Sequence, residues 1–136
     1  MTTTLVDSNV LLDILTEDGR WFDWSSQALV DAANFGRIVI NAVIYSEISV
    51  RFSRIEELEE AIPRTLVERE HIPYEAAFLA GKVFLAYRRA GGQRHSPLPD
   101  FFIGAHAAVA GYRLLTRDGR RRYRDYFPKL DVIAPE

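Results

Sequence analysis

The feature that most constrains the fold is a repeated order in which a short apolar strand runs directly into a helix-capping residue. Residues 3–6 are followed by Asp7 and two further polar residues, and residues 38–40 are followed by Asn41. β-branched and apolar runs favour strands, whereas Asp, Ser and Asn favour helix N-caps and turns. Strands that alternate with helices in this way predict an α/β fold around a mostly parallel sheet.

The hydrophobic periodicity and the Gly and Pro positions extend this order along the whole chain. Helices are predicted at about 10–15, 23–35, from 42 onward, 56–60, 74–90 and 100–110; strands at 3–6, 38–40, 67–72, 112–116 and 131–133; and a basic turn or helix near 119–125. No repeat, linker or low-complexity segment interrupts the pattern. We therefore expect residues 1–136 to form one domain.

Composition excludes several classes of protein. The 136 residues are 48% apolar and include no cysteine, which rules out disulfides, thiolate metal sites and cysteine nucleophiles. No apolar run approaches the roughly 18 residues of a membrane span, and the first residues lack the basic start and apolar stretch of a signal peptide. We expect a protein of the cytoplasm without membrane association.

Charge is distributed unevenly. Residues 1–75 carry fourteen acidic against six basic side chains, and residues 76–136 carry five against eleven. A basic half of this kind is compatible with a nucleic-acid partner, although a solvated helix face with scattered arginines is the commoner cause of such a stretch.

Four acidic residues stand just past predicted strands or inside the helices that follow: Asp7, Glu47, Asp100 and Asp118. Each also has a simpler interpretation. Asp7 and Asp100 can cap helices, and Asp118 can make a turn. Glu47 lies beside the apolar face of its helix and can pair with Arg51 four residues on, for about 0.3 to 0.5 kcal/mol.

The joint pattern of these acids indicates more than any one of them. Right-handed crossovers bring the ends of parallel strands to one edge of the sheet, so the carboxylates should converge there. Two unit charges about 4 Å apart repel by roughly 4 kcal/mol at an effective dielectric constant of about 20. A site made of oxygen ligands suits Mg²⁺ or Mn²⁺.

Four segments around these acids resemble the successive motifs of PIN-domain nucleases. They are residues 5–9 (LVDSN), 43–48 (VIYSEI), 99–107 (PDFFIGAHA) and 114–118 (LLTRD), in the same order along nearly the whole chain. The chain is similar in particular to the small VapC-type toxins of bacterial and archaeal toxin–antitoxin pairs. One departure is Gly104, where related chains often carry alanine, and we expect it to affect helix packing only.

The resemblance implies a PIN-like three-layer sandwich, with a five-stranded mostly parallel sheet flanked by helices. It implies that four acids hold Mg²⁺, with Mn²⁺ as a substitute, and that two polar residues support them. The acids are Asp7, Glu47, Asp100 and Asp118, and the supporting residues are Asn9 and Thr116. The implied activity is hydrolysis of RNA by water, which leaves 5′-phosphate and 3′-hydroxyl ends.

An acidic site needs positive charge nearby if it is to receive a polyanion. The candidate substrate-binding residues are Arg88, Arg89, Arg94, Arg117, Arg120 and Arg121. The resemblance also implies a homodimer and a cognate protein antitoxin that lays a peptide, often with an arginine, across the acids.

Other interpretations stay open. The fold can serve as a catalytically idle interaction module, or the same chemistry can act on single-stranded DNA. An aspartyl-phosphate enzyme of the haloacid-dehalogenase type is disfavoured, because Asn9 stands where such enzymes carry a second acid. Two further polar residues lie near the motifs: Asp13 is expected to be solvated or to neighbour the ligands, and His106 to be a packed helix residue.

Overall fold

A five-stranded sheet forms the centre of the molecule in the computed structural model, which describes residues 2–91, 98–118 and 123–135. The strands are β1 (Thr4–Val6), β2 (Ile38–Ile40), β3 (Glu68–Arg69), β4 (Arg113–Leu115) and β5 (Val132–Ile133). Their spatial order is β3-β2-β1-β4-β5, and every pairing is parallel. The predicted α/β class is confirmed, with a sheet that is wholly rather than mostly parallel.

Six helices of the described residues flank this sheet: α1 (Ser8–Leu15), α2 (Phe22–Phe35), α3 (Ala42–Ser49), α4 (Ile55–Ala61), α5 (Tyr74–Arg89) and α6 (Leu98–Ala110). Two of them begin two residues earlier than predicted. α1 begins at Ser8, and α6 begins at Leu98 because Pro99 is tolerated in a first helical turn. The third strand is shorter than predicted, and most of the basic turn expected near 119–125 lies outside the described residues.

The central strands are buried on both faces, as expected for a parallel sheet covered by helices. Leu5 of β1 lies between Val39 of β2 and Leu114 of β4, and none of the three side chains is exposed to solvent. The neighbouring Val6, Ile40 and Leu115 are equally buried. The packing of these apolar residues fixes the register of β1, β2 and β4. The three strands therefore end side by side, and the polar residues that follow them lie next to one another.

Polar caps turn the chain from strand into helix at that level. Asp7 follows β1 and accepts a hydrogen bond from the Ser8 amide, while Asn41 follows β2 and accepts one from the Ile44 amide. Each cap satisfies an amide that the first helical turn leaves without a partner. The caps therefore hold two polar side chains at the carboxyl edge of the sheet.

His106 joins α6 to this edge from inside the core. Its ring is fully buried, so the expectation of a packed helix histidine is confirmed. The Asn41 side-chain oxygen already accepts the Ile44 amide, so its amide group donates to His106 Nδ1 at 3.0 Å. The proton must then be on Nε2, which donates to Glu70 at 3.2 Å.

The C-terminal segment packs closely on α6 through Gly104. A Cβ atom at position 104 would overlap the ring of Phe127, so the absence of a side chain permits this contact. Phe127 is itself buried. No helix among the described residues is both long and apolar enough to cross a membrane.

Candidate active site

Asp7 is the most buried of the four predicted acids, with 3% of its surface exposed. Its Oδ1 accepts the Ser8 amide at 2.8 Å, and its Oδ2 accepts the hydroxyls of Thr116 at 2.9 Å and Tyr123 at 3.0 Å. Its own amide donates to the Leu115 carbonyl of β4. Asp7 is a helix cap, as its simpler interpretation required, and it is also the centre of a buried polar cluster.

Glu47 reaches the same cluster from α3. The Ser8 hydroxyl donates to Glu47 Oε1 at 2.9 Å, so a single serine binds the first acid through its amide and the second through its side chain. An ion pair with Arg51, the alternative that the sequence allowed, is not among the ion pairs of the described residues.

Asp100 and Asp118 complete the group. Asp100 lies in the first turn of α6 rather than at its N-cap. Asp118 follows β4, and its amide donates to the Thr116 hydroxyl at 3.1 Å. The ends of β1 and β4, the second half of α3 and the start of α6 therefore bring all four predicted acids to one edge of the sheet.

The charges of these acids act on one another. Burial raises the pKa of Asp7 to about 6, against hydrogen bonds from Thr116 and Tyr123 that lower it, and the charges of Asp100 and Glu47 raise it further. Burial also raises the pKa of Glu47, with further repulsion from Asp100 and Asp118. A carboxylate is disfavoured in such surroundings unless a proton or a cation neutralises it.

Thr116 and Asn9, the predicted supporting residues, bind the acids to each other. The Thr116 hydroxyl donates to Asp7 and accepts the side-chain amide of Asn9 at 3.3 Å as well as the backbone amide of Asp118. Asn9 in turn accepts the Arg117 amide at 3.0 Å. One hydroxyl thus uses its single proton and both lone pairs to connect β4 with α1.

Asp13, predicted to be solvated or to neighbour the ligands, is not solvated. It is only 2% exposed, and Arg117 binds it with two hydrogen bonds of 3.0 and 3.1 Å. The Ser25 hydroxyl donates to the same carboxylate at 2.7 Å, and the Arg117 guanidinium lies over the Trp21 ring. The guanidinium of Arg117, a predicted substrate contact, is therefore already bound within the chain.

The remaining arginine predictions divide into two groups. Arg88 and Arg89 lie exposed in the last turn of α5. The ring of Tyr87 in that turn is 5.5 Å from the ring of Phe101, the residue after Asp100, so the end of α5 packs against the start of α6. The other group comprises Arg94, Arg120 and Arg121, which lie outside the described residues.

Two residues of the cluster were not predicted from the sequence. Ser8 binds both Asp7 and Glu47, and its place directly after Asp7 is a usable signal for this role. Tyr123 is buried like a core aromatic, but its hydroxyl also reaches Asp7 across 116 positions of sequence. Nothing in the residues around Tyr123 distinguishes it from an ordinary core aromatic.

The donor set suits a hard divalent cation. It consists of carboxylate oxygens held in place by hydroxyl and amide donors, and these are the ligands that Mg²⁺ and Mn²⁺ prefer. Within the described residues, no group of three or more acidic or histidine side chains has the spacing of a preformed metal site. Like charges repel one another until a cation offsets the repulsion, so carboxylates spaced more widely than in an occupied metal site are consistent with a cation site.

Comparison with solved structures identifies the fold. The chain is similar to a chain of the VapBC2 structure from Rickettsia felis (TM-score 0.72, 15% identity, 99% of this chain and 100% of that chain covered). It is similar to a chain of VapBC-1 from nontypeable Haemophilus influenzae (TM-score 0.71, 14% identity, 98% of each chain). A toxin–antitoxin complex from Klebsiella pneumoniae also contains a similar chain (TM-score 0.65, 21% identity, 98% of each chain).

Comparison by sequence gives the family. No curated protein matches the chain significantly. The PIN domain family matches residues 4–126, which include all four acids of the cluster. The chain therefore belongs to the PIN-domain family.

Proposed function

We propose that this chain is a Mg²⁺- or Mn²⁺-dependent endoribonuclease that acts in the cytoplasm as the toxin of a toxin–antitoxin pair. The observation that carries the proposal is the mutual repulsion of four carboxylates around a buried Asp7. A carboxylate buried among other carboxylates needs a cation or a proton to neutralise it, and a set of oxygen ligands suits a divalent cation. Membership of the PIN-domain family supports the same conclusion.

The acids have distinct roles in this proposal. Asp7, Glu47 and Asp100 hold the metal directly, and Asp118 does so directly or through a water molecule. A bound divalent cation supplies an activated water and offsets the charge that builds on the phosphate. Thr116 fixes the orientation of Asp7 through its 2.9 Å hydrogen bond.

The proposed substrate is RNA, and the positive charge near the site supports this choice. Arg88 and Arg89 offer two exposed cations on the α5 turn whose Tyr87 ring packs against Phe101, the residue after Asp100. Such cations offset the repulsion between acidic ligands and a phosphate backbone, and they do so without regard to base sequence. Arg94, Arg120 and Arg121 remain predicted contacts on the strength of their place in the sequence.

The proposed partners are a cognate antitoxin and a second copy of the chain. The similar structure from Klebsiella pneumoniae is of a toxin–antitoxin complex, which supports the first. Tyr74 and Phe78, one turn apart on α5, are 91% and 68% exposed. Large apolar side chains exposed together commonly mark protein interfaces, which supports a partner on this side of the molecule.

The decisive experiment follows cleavage of RNA by the purified chain while Mn²⁺ is titrated. Wild type should cut and leave 5′-phosphate ends, and Asp7→Asn and Asp100→Asn should each lose roughly a hundredfold or more, because several kcal/mol of charge stabilisation disappear. Asp131→Asn is the matched control. This exposed acid comes just before β5, at the amino ends of the strands, whereas the four acids lie at the carboxyl ends.

Equal activity in all of these proteins would refute the proposal and favour a catalytically idle interaction module. A parallel assay with single-stranded DNA separates the two candidate substrates. Faster cleavage of the DNA would replace RNA in the proposal and leave the metal chemistry unchanged.

A further inference from the structure

The hydroxyl of Tyr123 has a place in the cluster that the proposed hydrolysis does not require. The side chain is 2% exposed, and its hydroxyl donates to Asp7 Oδ2 at 3.0 Å. Thr116 donates to the same oxygen at 2.9 Å. Two hydroxyl groups from different parts of the chain therefore converge on one carboxylate oxygen.

The lone pairs of Asp7 can be counted from these contacts. A carboxylate oxygen accepts about two hydrogen bonds. Oδ2 accepts two, from Thr116 and Tyr123, whereas Oδ1 accepts one, from the Ser8 amide. Among the described residues, only Oδ1 thus keeps an acceptor site for a further ligand.

The packing of the C-terminal segment holds Tyr123 in this position. The Phe127 amide donates to the Tyr123 carbonyl at 2.8 Å, and the Phe127 ring packs against the bare backbone of Gly104. Gly104 lies one turn after Asp100 on α6. The contact that binds the C-terminal segment to α6 therefore also fixes the hydroxyl on Asp7.

We propose that Tyr123 determines which divalent cation the site selects, because its hydroxyl and that of Thr116 leave Asp7 only one oxygen to offer. Ca²⁺ accepts two oxygens of one carboxylate and six to eight ligands in all, whereas Mg²⁺ demands a near-octahedral shell built from single oxygens. Mn²⁺ also accepts an octahedral set of oxygens. Occupation of Oδ2 thus disfavours Ca²⁺. This inference rests on the proposed metal site.

The test measures selectivity rather than activity. Binding of Mn²⁺ to the full chain is followed by electron paramagnetic resonance, and Ca²⁺ is then added to displace it. Tyr123→Phe keeps the ring and removes the hydroxyl, so Ca²⁺ should compete roughly tenfold or more better than in wild type, the size expected for one hydrogen bond to a charged group. Tyr126→Phe removes a hydroxyl three residues on that does not bind Asp7, and it should leave the ratio unchanged.

A second variant, Thr116→Val, opens the same oxygen from β4. It should shift the Ca²⁺ to Mn²⁺ ratio in the same direction. If Tyr123→Phe does not fold, this variant alone tests the inference. Mn²⁺ binding with an unchanged Ca²⁺ to Mn²⁺ ratio in these variants would overturn the inference and leave the proposed function standing. Failure of wild type to bind Mn²⁺ at all would overturn the proposed function as well.

Discussion

Removing the charge of Asp7 should make the metal-free protein more stable at neutral pH. The carboxylate is buried, and the charges of Asp100 and Glu47 repel it. Asp7→Asn keeps the size and shape of the side chain but carries no charge. The variant expected to abolish metal-dependent cleavage should therefore also be the more stable protein.

The size of the effect follows from the pKa of Asp7. A rise from 3.8 to about 6 corresponds to about 3 kcal/mol once the group is fully ionised, at about 1.4 kcal/mol for each tenfold change in proton affinity. The amide oxygen of the variant can take the place of Oδ2 and accept both hydroxyl groups, but the Ser8 amide then faces an NH₂ group and loses its acceptor, which costs about 1 kcal/mol. The net gain in the free energy of unfolding should be about 2 kcal/mol.

The pH dependence follows from the direction of the shift. Folding raises the pKa of Asp7, so the folded protein binds this proton more tightly than the unfolded chain does. The stability that the neutral group contributes is fully present below pH 3.8 and is lost as the pH rises through about 6. The advantage of Asp7→Asn should thus grow between these values and disappear in more acidic solution.

Urea denaturation with a chelator present, at neutral pH and at a pH of about 4, measures this difference. Asp13→Asn is the control, because it neutralises a second buried aspartate whose partner is Arg117. It should lower stability by roughly 2 kcal/mol, less than for a fully buried pair because Arg117 is partly exposed. An Asp7→Asn protein that is less stable than wild type at neutral pH would refute the reasoning.

Three further outcomes are expected. Gly104→Ala should lower the free energy of unfolding by about 1 to 3 kcal/mol through overpacking. Gly81→Ala, in an open part of α5, should instead raise it by up to about 1 kcal/mol. Thermal denaturation of the two variants measures the difference. Arg88→Ala combined with Arg89→Ala should weaken RNA binding and reduce the slope of log binding constant against log salt concentration by about 2. Lys129→Ala should leave both unchanged. Filter binding at several salt concentrations measures them. Saturating Mn²⁺, at about 100 times its dissociation constant, should stabilise wild type by about 3 kcal/mol, and a stabilisation that persists in Asp100→Asn would place the ion elsewhere.

The sequence was sufficient to predict the framework of the site, because that framework depends on local patterns. The apolar runs that end at Asp7 and Asn41 identify buried strands and the caps that follow them. Parallel strands then bring the residues after β1, β2 and β4 to one edge. Glu47 and Asp100 follow from the same rule, since each lies on a helix that starts at this edge.

The side-chain contacts of the site could not be predicted, because they join residues far apart in sequence. Asp13 and Arg117 are separated by 104 positions, and Tyr123 lies 116 positions from Asp7. Hydrophobic periodicity reports which face of an element is buried, not which polar atom a buried side chain meets. Arg117 looked like a substrate contact for this reason, although its guanidinium is bound to Asp13.

The central claim is that Asp7, Glu47, Asp100 and Asp118 act together as one site for a divalent cation. Anomalous diffraction from crystals grown with Mn²⁺ tests it most directly. We predict a manganese peak within coordination distance of Asp7 Oδ1 and of at least one oxygen from Glu47 or Asp100, at about 2.0 to 2.6 Å. Strong manganese peaks only at other surfaces, with these four carboxylates left unligated, would contradict the account.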